Sequence, residues 1–267
     1  MHHAFSWAAR PATANGCQPG GAASPAGGDI ACVVAAPGAV RLLIGDVMGH
    51  DARAAATALA VADAFSRLAV HPDPLQVIAA RLHAFVADRA ADAATGKAAD
   101  EEFVTAQFIS IPTGDDGEPQ IVCCGHPAPL LLRDGRVTPL DALPPSAPLG
   151  LLDLGDHAPR ADLLGAGPGD GLLLYTDGVS EAYDEQGRLY PLAERVAALG
   201  SRRPPEGPGV SLPELLRDDL LRYVGGDLRD DATLLYLSFA SATTGPRPVV
   251  EVPRQAAAAG RVPIARC

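Results

Sequence analysis

Between its glycine- and proline-rich interruptions the chain changes hydrophobic period in an order that restricts its fold. Residues 40–47 form an apolar, strand-like run that ends in Gly45-Asp46-Val47. From Asp51 the period lengthens. Ala58, Val61, Ala62, Phe65, Leu68 and Ala69 recur at helical spacing, with Asp63, Ser66 and Arg67 on the other face. Asp51 is expected to cap this helix. A second helix is expected from Asp73-Pro74, with an apolar stripe of Leu75, Ile78, Leu82, Phe85 and Val86. Residues 103–111, 120–124, 130–133 and 137–140 then read as strands, the last two joined by an Asp134-Gly135 turn, and residues 171–175 as another. Helices are expected at 189–199 and 212–224, and a last strand at 233–239. Strand, two helices, many strands, two helices and a strand is not the regular alternation of a parallel sheet. The order predicts an α+β fold, mainly antiparallel sheets with helices packed outside.

Composition narrows the functions such a fold can serve. At 267 residues, 48% of them hydrophobic, the chain can bury a substantial core. Its net charge of −11 is unsuited to sequence-independent nucleic-acid binding or to an anionic membrane surface, so neither partner is expected. No apolar run approaches the roughly 20 residues that span a bilayer. Residues 1–10 lack a basic segment followed by an apolar core, so no secretory leader is read there. The five cysteines include no C-x-x-C pair and read as free thiols in a reducing compartment, which places the chain in the cytoplasm. Cys123 and Cys124 are adjacent, so on a strand they face opposite ways. Residues 1–26 read as a short strand and a Gly/Pro-rich loop at the edge of the domain, 27–240 as the domain itself, and 241–267, with no sustained period, as a disordered tail.

Aspartate recurs where buried strands stop or start: Asp29 after Gly28, Asp46 after Gly45, Asp177 between Thr176 and Gly178, and Asp230-Asp231 before the last strand. Strand termini can converge at one end of a sheet sandwich, and the neighbouring glycines allow close approach. A carboxylate cluster without thiolate and with little histidine is a hard-oxygen site, suited to Mg²⁺ or Mn²⁺ rather than Zn²⁺. The competing explanation is a turn, since Asp-Gly is a common turn pair. Asp134-Gly135 and Asp170-Gly171 are read that way.

Five segments lift the others above that reading. Gly45-Asp46-Val47-Met48-Gly49-His50, followed by Ala54-Ala55, Cys124-Gly125-His126-Pro127, Pro148-Leu149-Gly150-Leu151, the run 175–182 (Tyr-Thr-Asp-Gly-Val-Ser-Glu-Ala) and Asp230-Asp231-Ala232-Thr233 follow one another along the chain. In content and order they resemble the metal-dependent protein serine/threonine phosphatases of type 2C, in the bacterial branch that includes sporulation stage II protein E and stress-response relatives. The resemblance covers residues 28–238. It implies an αββα sandwich of two antiparallel sheets flanked by helices, with a dinuclear Mn²⁺ or Mg²⁺ site at one end. It implies that Asp46 bridges both ions, that the Val47 carbonyl helps hold one, that Asp177 and Asp230 bind the other, and that Asp29 sits beside them, through water or a further ion. Two such ions activate water and neutralise phosphoryl oxygens, so no cysteine or serine nucleophile is expected. The implied substrate is a phosphoserine or phosphothreonine protein, an anti-anti-sigma factor in a partner-switching pathway. Relatives carry sensor or membrane domains upstream. Here 26 residues precede Gly27, and the expectation is a stand-alone catalytic domain.

The chain departs from the pattern twice. Cys32 stands where many relatives have a second Asp after the Gly-Gly-Asp, and Asp51 where the family has glycine. These departures keep a second reading in play, a catalytically weak pseudophosphatase that binds a phosphoprotein; a convergent two-metal hydrolase is a third. His126 reads either as a general acid or as part of a packed turn, with the turn preferred. His50 reads as a loop hydrogen-bonder, Cys32 as a small core residue rather than a redox thiol at the site, and Arg53 as a solvated helix position.

Overall fold

The computed structural model of the chain describes residues 4–11, 27–49, 51–93, 103–113, 117–140, 146–151, 158–200, 211–226, 228–240 and 249–250. Strands β1 (Ala4–Pro11), β6 (Leu130–Arg133), β7 (Arg136–Pro139), β9 (Gly171–Tyr175), β10 (Thr233–Ala240) and β11 (Val249–Val250) make one sheet in the order β11-β1-β10-β9-β6-β7. Strands β2 (Asp29–Ala36), β3 (Ala39–Val47), β4 (Val104–Pro112), β5 (Gln120–Cys124) and β8 (Asp162–Leu163) make the second, in the order β2-β3-β4-β5-β8. All these pairings are antiparallel except that of β11 with β1. Helices α1 (Ala52–Ala69) and α2 (Leu75–Ala93) cover the second sheet, while α4 (Leu192–Gly200) and α5 (Leu212–Val224) cover the first. The result is the αββα sandwich.

Alternation along the strands sorts the core into three layers. Leu42 and Ile44 of β3, Ile109 and Ile111 of β4, Leu172 and Leu174 of β9, and Leu235, Leu237 and Phe239 of β10 meet between the sheets. One residue out of phase, Ile30, Cys32, Leu43 and Phe108 face α1 and α2. Leu173 and Leu234 likewise face Tyr190, Val196 and Leu216 on the α4–α5 side. Small side chains on α1, Ala58 and Ala62 among them, let that helix lie close to its sheet, and Phe65 packs its ring 6.0 Å from that of Phe108.

The ends of the elements show where local chemistry was and was not enough. Asp51 caps α1, its carboxylate accepting from the N–H groups of Arg53 and Ala54, both at 2.9 Å. At α2 it is the Pro74 carbonyl that accepts from Val77 and Ile78, while the Asp73 carboxylate pairs with Arg81 at 2.7 Å instead of capping. The helix expected from 189 begins at Leu192, because Pro191 disfavours helical backbone at the residue before it. Leu189 bridges to Tyr183 in an extended turn, and the Pro191 carbonyl accepts the first helical bond from Arg195. The segment 241–267, expected to be a disordered tail, supplies Val249 and Val250 as two β-branched rungs on the open edge of β1. Its other residues lie outside those described.

Candidate metal centre

The inner faces that carry the inter-sheet core continue to one end of the sandwich, and there they turn polar. Two positions beyond Ile44 on β3 comes Asp46, and two before Ala31 on β2 comes Asp29. These two aspartates are register partners. On the facing sheet, two positions beyond Leu174 comes Thr176, and two before Leu235 comes Thr233. Asp177 follows Thr176 at the start of a one-turn helix, α3 (Asp177–Ser180), and Asp230-Asp231 lead into β10. The structure therefore brings the four predicted site aspartates, Asp29, Asp46, Asp177 and Asp230, to one end of the sandwich, with Asp231 beside them.

Asp29 is 4% exposed, with Thr176 and Thr233 almost fully buried around it. Its Oδ2 accepts from Thr176 Oγ1 at 2.9 Å and from Thr233 Oγ1 at 2.7 Å. The charges acting on the cluster have one sign. Burial is the largest cause of the rise in Asp29's pKa, and the charges of Asp231 and Asp177 add to it against the two hydroxyl donors. Asp46 is raised by burial, then by the charges of Asp29, Asp177 and Asp230. Asp177 is raised by burial and Asp230, and Asp231 by burial and Asp230. Buried like charges of this kind call for protons or cations.

A concavity lies beside Gly28. A Cβ on that residue would stand 2.8 Å from Asp46 Oδ1, 2.8 Å from the Val47 carbonyl oxygen and 3.1 Å from that of Gly49. The two oxygens singled out in the sequence thus face one small space that only glycine leaves open, and Val47 N–H ties the loop by donating to the Gly28 carbonyl at 3.1 Å. Gly28→Ala is expected to fill this space and weaken divalent-cation binding by about tenfold or more. Calorimetric titration with Mn²⁺ measures it.

Among the described residues no three His, Cys, Asp or Glu side chains stand close enough together to enclose an ion as they are placed. The donor set nonetheless fits a hard divalent cation: carboxylate and carbonyl oxygens, an open concavity, and mutual repulsion that a cation would relieve.

The other residues read from the sequence fall away from this chemistry. Asp51 has φ −94° and spends its carboxylate on the α1 cap. Cys32 is on the outer face of β2, in the core against α1, as alternation from Asp29 requires. Cys124 is also in that core, and burial pushes its thiol up to about 12. Cys123 points the other way and donates to the His126 carbonyl at 3.3 Å. Arg53 is exposed on α1, and His50 lies outside the described residues. His126 is 6% exposed, its Nδ1 3.0 Å from Thr105 Oγ1, as a packed turn residue would be.

Burial lowers the His126 pKa from 6.5 to about 4, against the pull of the Tyr175 carbonyl. The unfolded chain then binds more protons than the folded one between those values. His126 therefore withdraws stability as pH falls from 6.5 towards 4, by about 3 kcal/mol in full. Denaturant unfolding of wild type and His126→Asn across that window should show the steeper acid loss in the wild type.

Sequence reasoning gave Thr176 and Thr233 no role of their own. The threonines entered only as members of the segments around Asp177 and Asp230. The signal lay in their parity with Leu174 and Leu235, which turns them inward. Asp231, read in the sequence with Asp230 as a strand-end carboxylate, packs on Gly27 and accepts from the Gly28 N–H.

Comparison with known proteins places this arrangement. No curated protein sequence matches the chain. Among solved structures, the RsbU and RsbW domains of Rv1364c from Mycobacterium tuberculosis superpose with a TM-score of 0.67 at 25% identity, over 91% of this chain and 62% of that one. The PP2C phosphatase domain of SpoIIE from Bacillus subtilis, with a fragment of its regulatory domain, gives 0.66 at 18% identity, over 90% and 64%. The serine/threonine phosphatase PstP/Ppp of Mycobacterium tuberculosis gives 0.57 at 19%, over 89% and 99%. The chain spans less than two thirds of the length of the first two. The fold is that of PP2C-type phosphatases. A sequence model described as Stage II sporulation protein E (SpoIIE) matches residues 36–240, from the end of β2 to the end of β10. By that match and by the sandwich around its carboxylate cluster, the chain belongs to the SpoIIE family.

Proposed function

We propose that this chain is a Mn²⁺- or Mg²⁺-dependent protein serine/threonine phosphatase whose centre holds two ions. The observation that carries the reading is the gathering of Asp46, Asp177 and Asp230 with the Val47 carbonyl at the sandwich end, where the charges of Asp29, Asp177 and Asp230 all raise the Asp46 pKa. Asp46 would serve both ions, the Val47 carbonyl one of them, and Asp177 and Asp230 the other, with Asp29 beside them. When bound, such ions supply an acidified water and neutralise charge on the phosphoryl oxygens. The chain's own part is to fix the donors on strand ends and to keep the Gly28 concavity open. Residues 27–240, with the short N-terminal strand of 1–26, form the catalytic unit.

The substrate in this reading is a phosphoserine or phosphothreonine on a regulatory protein of the anti-anti-sigma kind, in the cytoplasm. Support comes from the likeness to a chain with RsbU and RsbW domains and from family membership. A site at the edge of a sandwich also suits a phosphoryl group displayed on a folded partner. The test compares kcat/KM for a phosphorylated anti-anti-sigma-type protein, nucleotides and sugar phosphates in Mn²⁺. The phosphoprotein is expected to be preferred; better turnover of a small metabolite overturns the assignment.

A further inference from the structure

The ligand-bearing strand ends belong to different sheets, Asp46 to one and Asp177 and Asp230 to the other, so something must hold the two sheets in register at this end. Away from it, apolar side chains fill the inter-sheet layer. Such contacts are non-directional and fix spacing less sharply than hydrogen bonds do. At the end itself one carboxylate oxygen does the joining. Asp29 Oδ2 accepts from hydroxyls 147 and 204 residues away along the chain, Thr176 on the strand end that carries Asp177 and Thr233 on the one that follows Asp230-Asp231. The two threonines are also bonded to each other. Thr233 N–H donates to Thr176 Oγ1 at 2.9 Å, and Thr176 N–H donates to the Thr233 carbonyl at 3.1 Å. Thr176 Oγ1 thus accepts from one strand of its own sheet while donating to the opposite sheet. Asp29 in turn lies opposite Asp46 in the β2–β3 ladder, so the position of the three is passed to the bridging donor by one rung.

We propose that Thr176 and Thr233 are positioning residues. Through Asp29 they clasp the two sheets so that Asp46 is held at the same end of the sandwich as Asp177 and Asp230. The clasp rests on the metal-dependent reading above. Its geometry is independent of any ion, since all its bonds are internal to the protein and its three side chains are buried. Two hydroxyls converging on one carboxylate oxygen make a directional contact between the sheets, which the apolar layer does not supply.

The test is Mn²⁺ titration calorimetry and phosphate release on the full chain with Thr176→Val, Thr233→Val, the double variant and the two Thr→Ser variants. Valine keeps the shape and removes the hydroxyl; serine keeps the hydroxyl. Each valine variant is expected to bind Mn²⁺ about 10- to 100-fold more weakly, the range for partners that orient metal ligands. Activity lost at low Mn²⁺ should be regained at high Mn²⁺, and each serine variant should stay near wild type. Because both hydroxyls share one acceptor, the double variant should fall short of the sum of the singles. Folded valine variants that bind Mn²⁺ as the wild type does overturn the clasp, as does a serine variant that loses affinity tenfold. Loss of affinity in a serine variant overturns the clasp even where valine prevents folding. A wild type that binds no Mn²⁺ overturns the metal-centre reading instead, so the two failures are distinct.

Discussion

Asp46→Asn is expected to lower kcat by about 10³-fold or more while leaving the fold intact. Asp46 is the donor that faces both the Gly28 concavity and the carboxylates of the opposite sheet, and loss of several kcal/mol of metal-borne charge stabilisation corresponds to that factor. The same substitution should make the metal-free protein more stable. It removes one charge from a buried group that Asp29, Asp177 and Asp230 all repel. A gain of about 1 kcal/mol would raise the Tm by about 2–4 °C. Steady-state kinetics and thermal melting in chelator check the two halves together. Gain of stability with loss of turnover separates a functional carboxylate from a structural one, for which both would fall.

Removal of divalent cations is expected to abolish hydrolysis, and Mn²⁺ or Mg²⁺ to restore it. The described cysteines offer no alternative nucleophile. Cys32 and Cys124 are packed against the helices on the outer face of their sheet, and burial raises the thiols of both Cys123 and Cys124. Phosphate release in chelator, followed by back-titration with each cation, measures this. Cys32→Ser, Cys123→Ser and Cys124→Ser should keep cation-dependent turnover wherever they fold.

Much of this architecture was legible because it is written in short-range chemistry. The strand run ending at Asp46 and the Asp51 cap depend on alternation and on neighbours within four residues, and both stand in the structure as read. Pro191 is equally visible in the sequence, yet helical spacing alone predicts a start three residues before the observed Leu192. The two rungs at Val249 and Val250 could not be seen, since their partner strand lies at the other end of the chain. The candidate site divides in the same way. Aspartates at strand ends can be read from glycine neighbours and run boundaries. That Asp29 spends an oxygen on Thr176 and Thr233 depends on contacts between sheets, which no local pattern specifies. Parity with the core leucines was the one available sign, and it also explains why Cys32 faces α1 rather than the carboxylates.

The most direct measurement is calorimetric titration of the metal-free chain with Mn²⁺, alongside Asp46→Asn. Two ions bound per wild-type chain, reduced to one or none by the substitution, is the result that a bridging Asp46 predicts. Equal binding by both proteins, or none by the wild type, would contradict a metal centre built on the strand-end carboxylates.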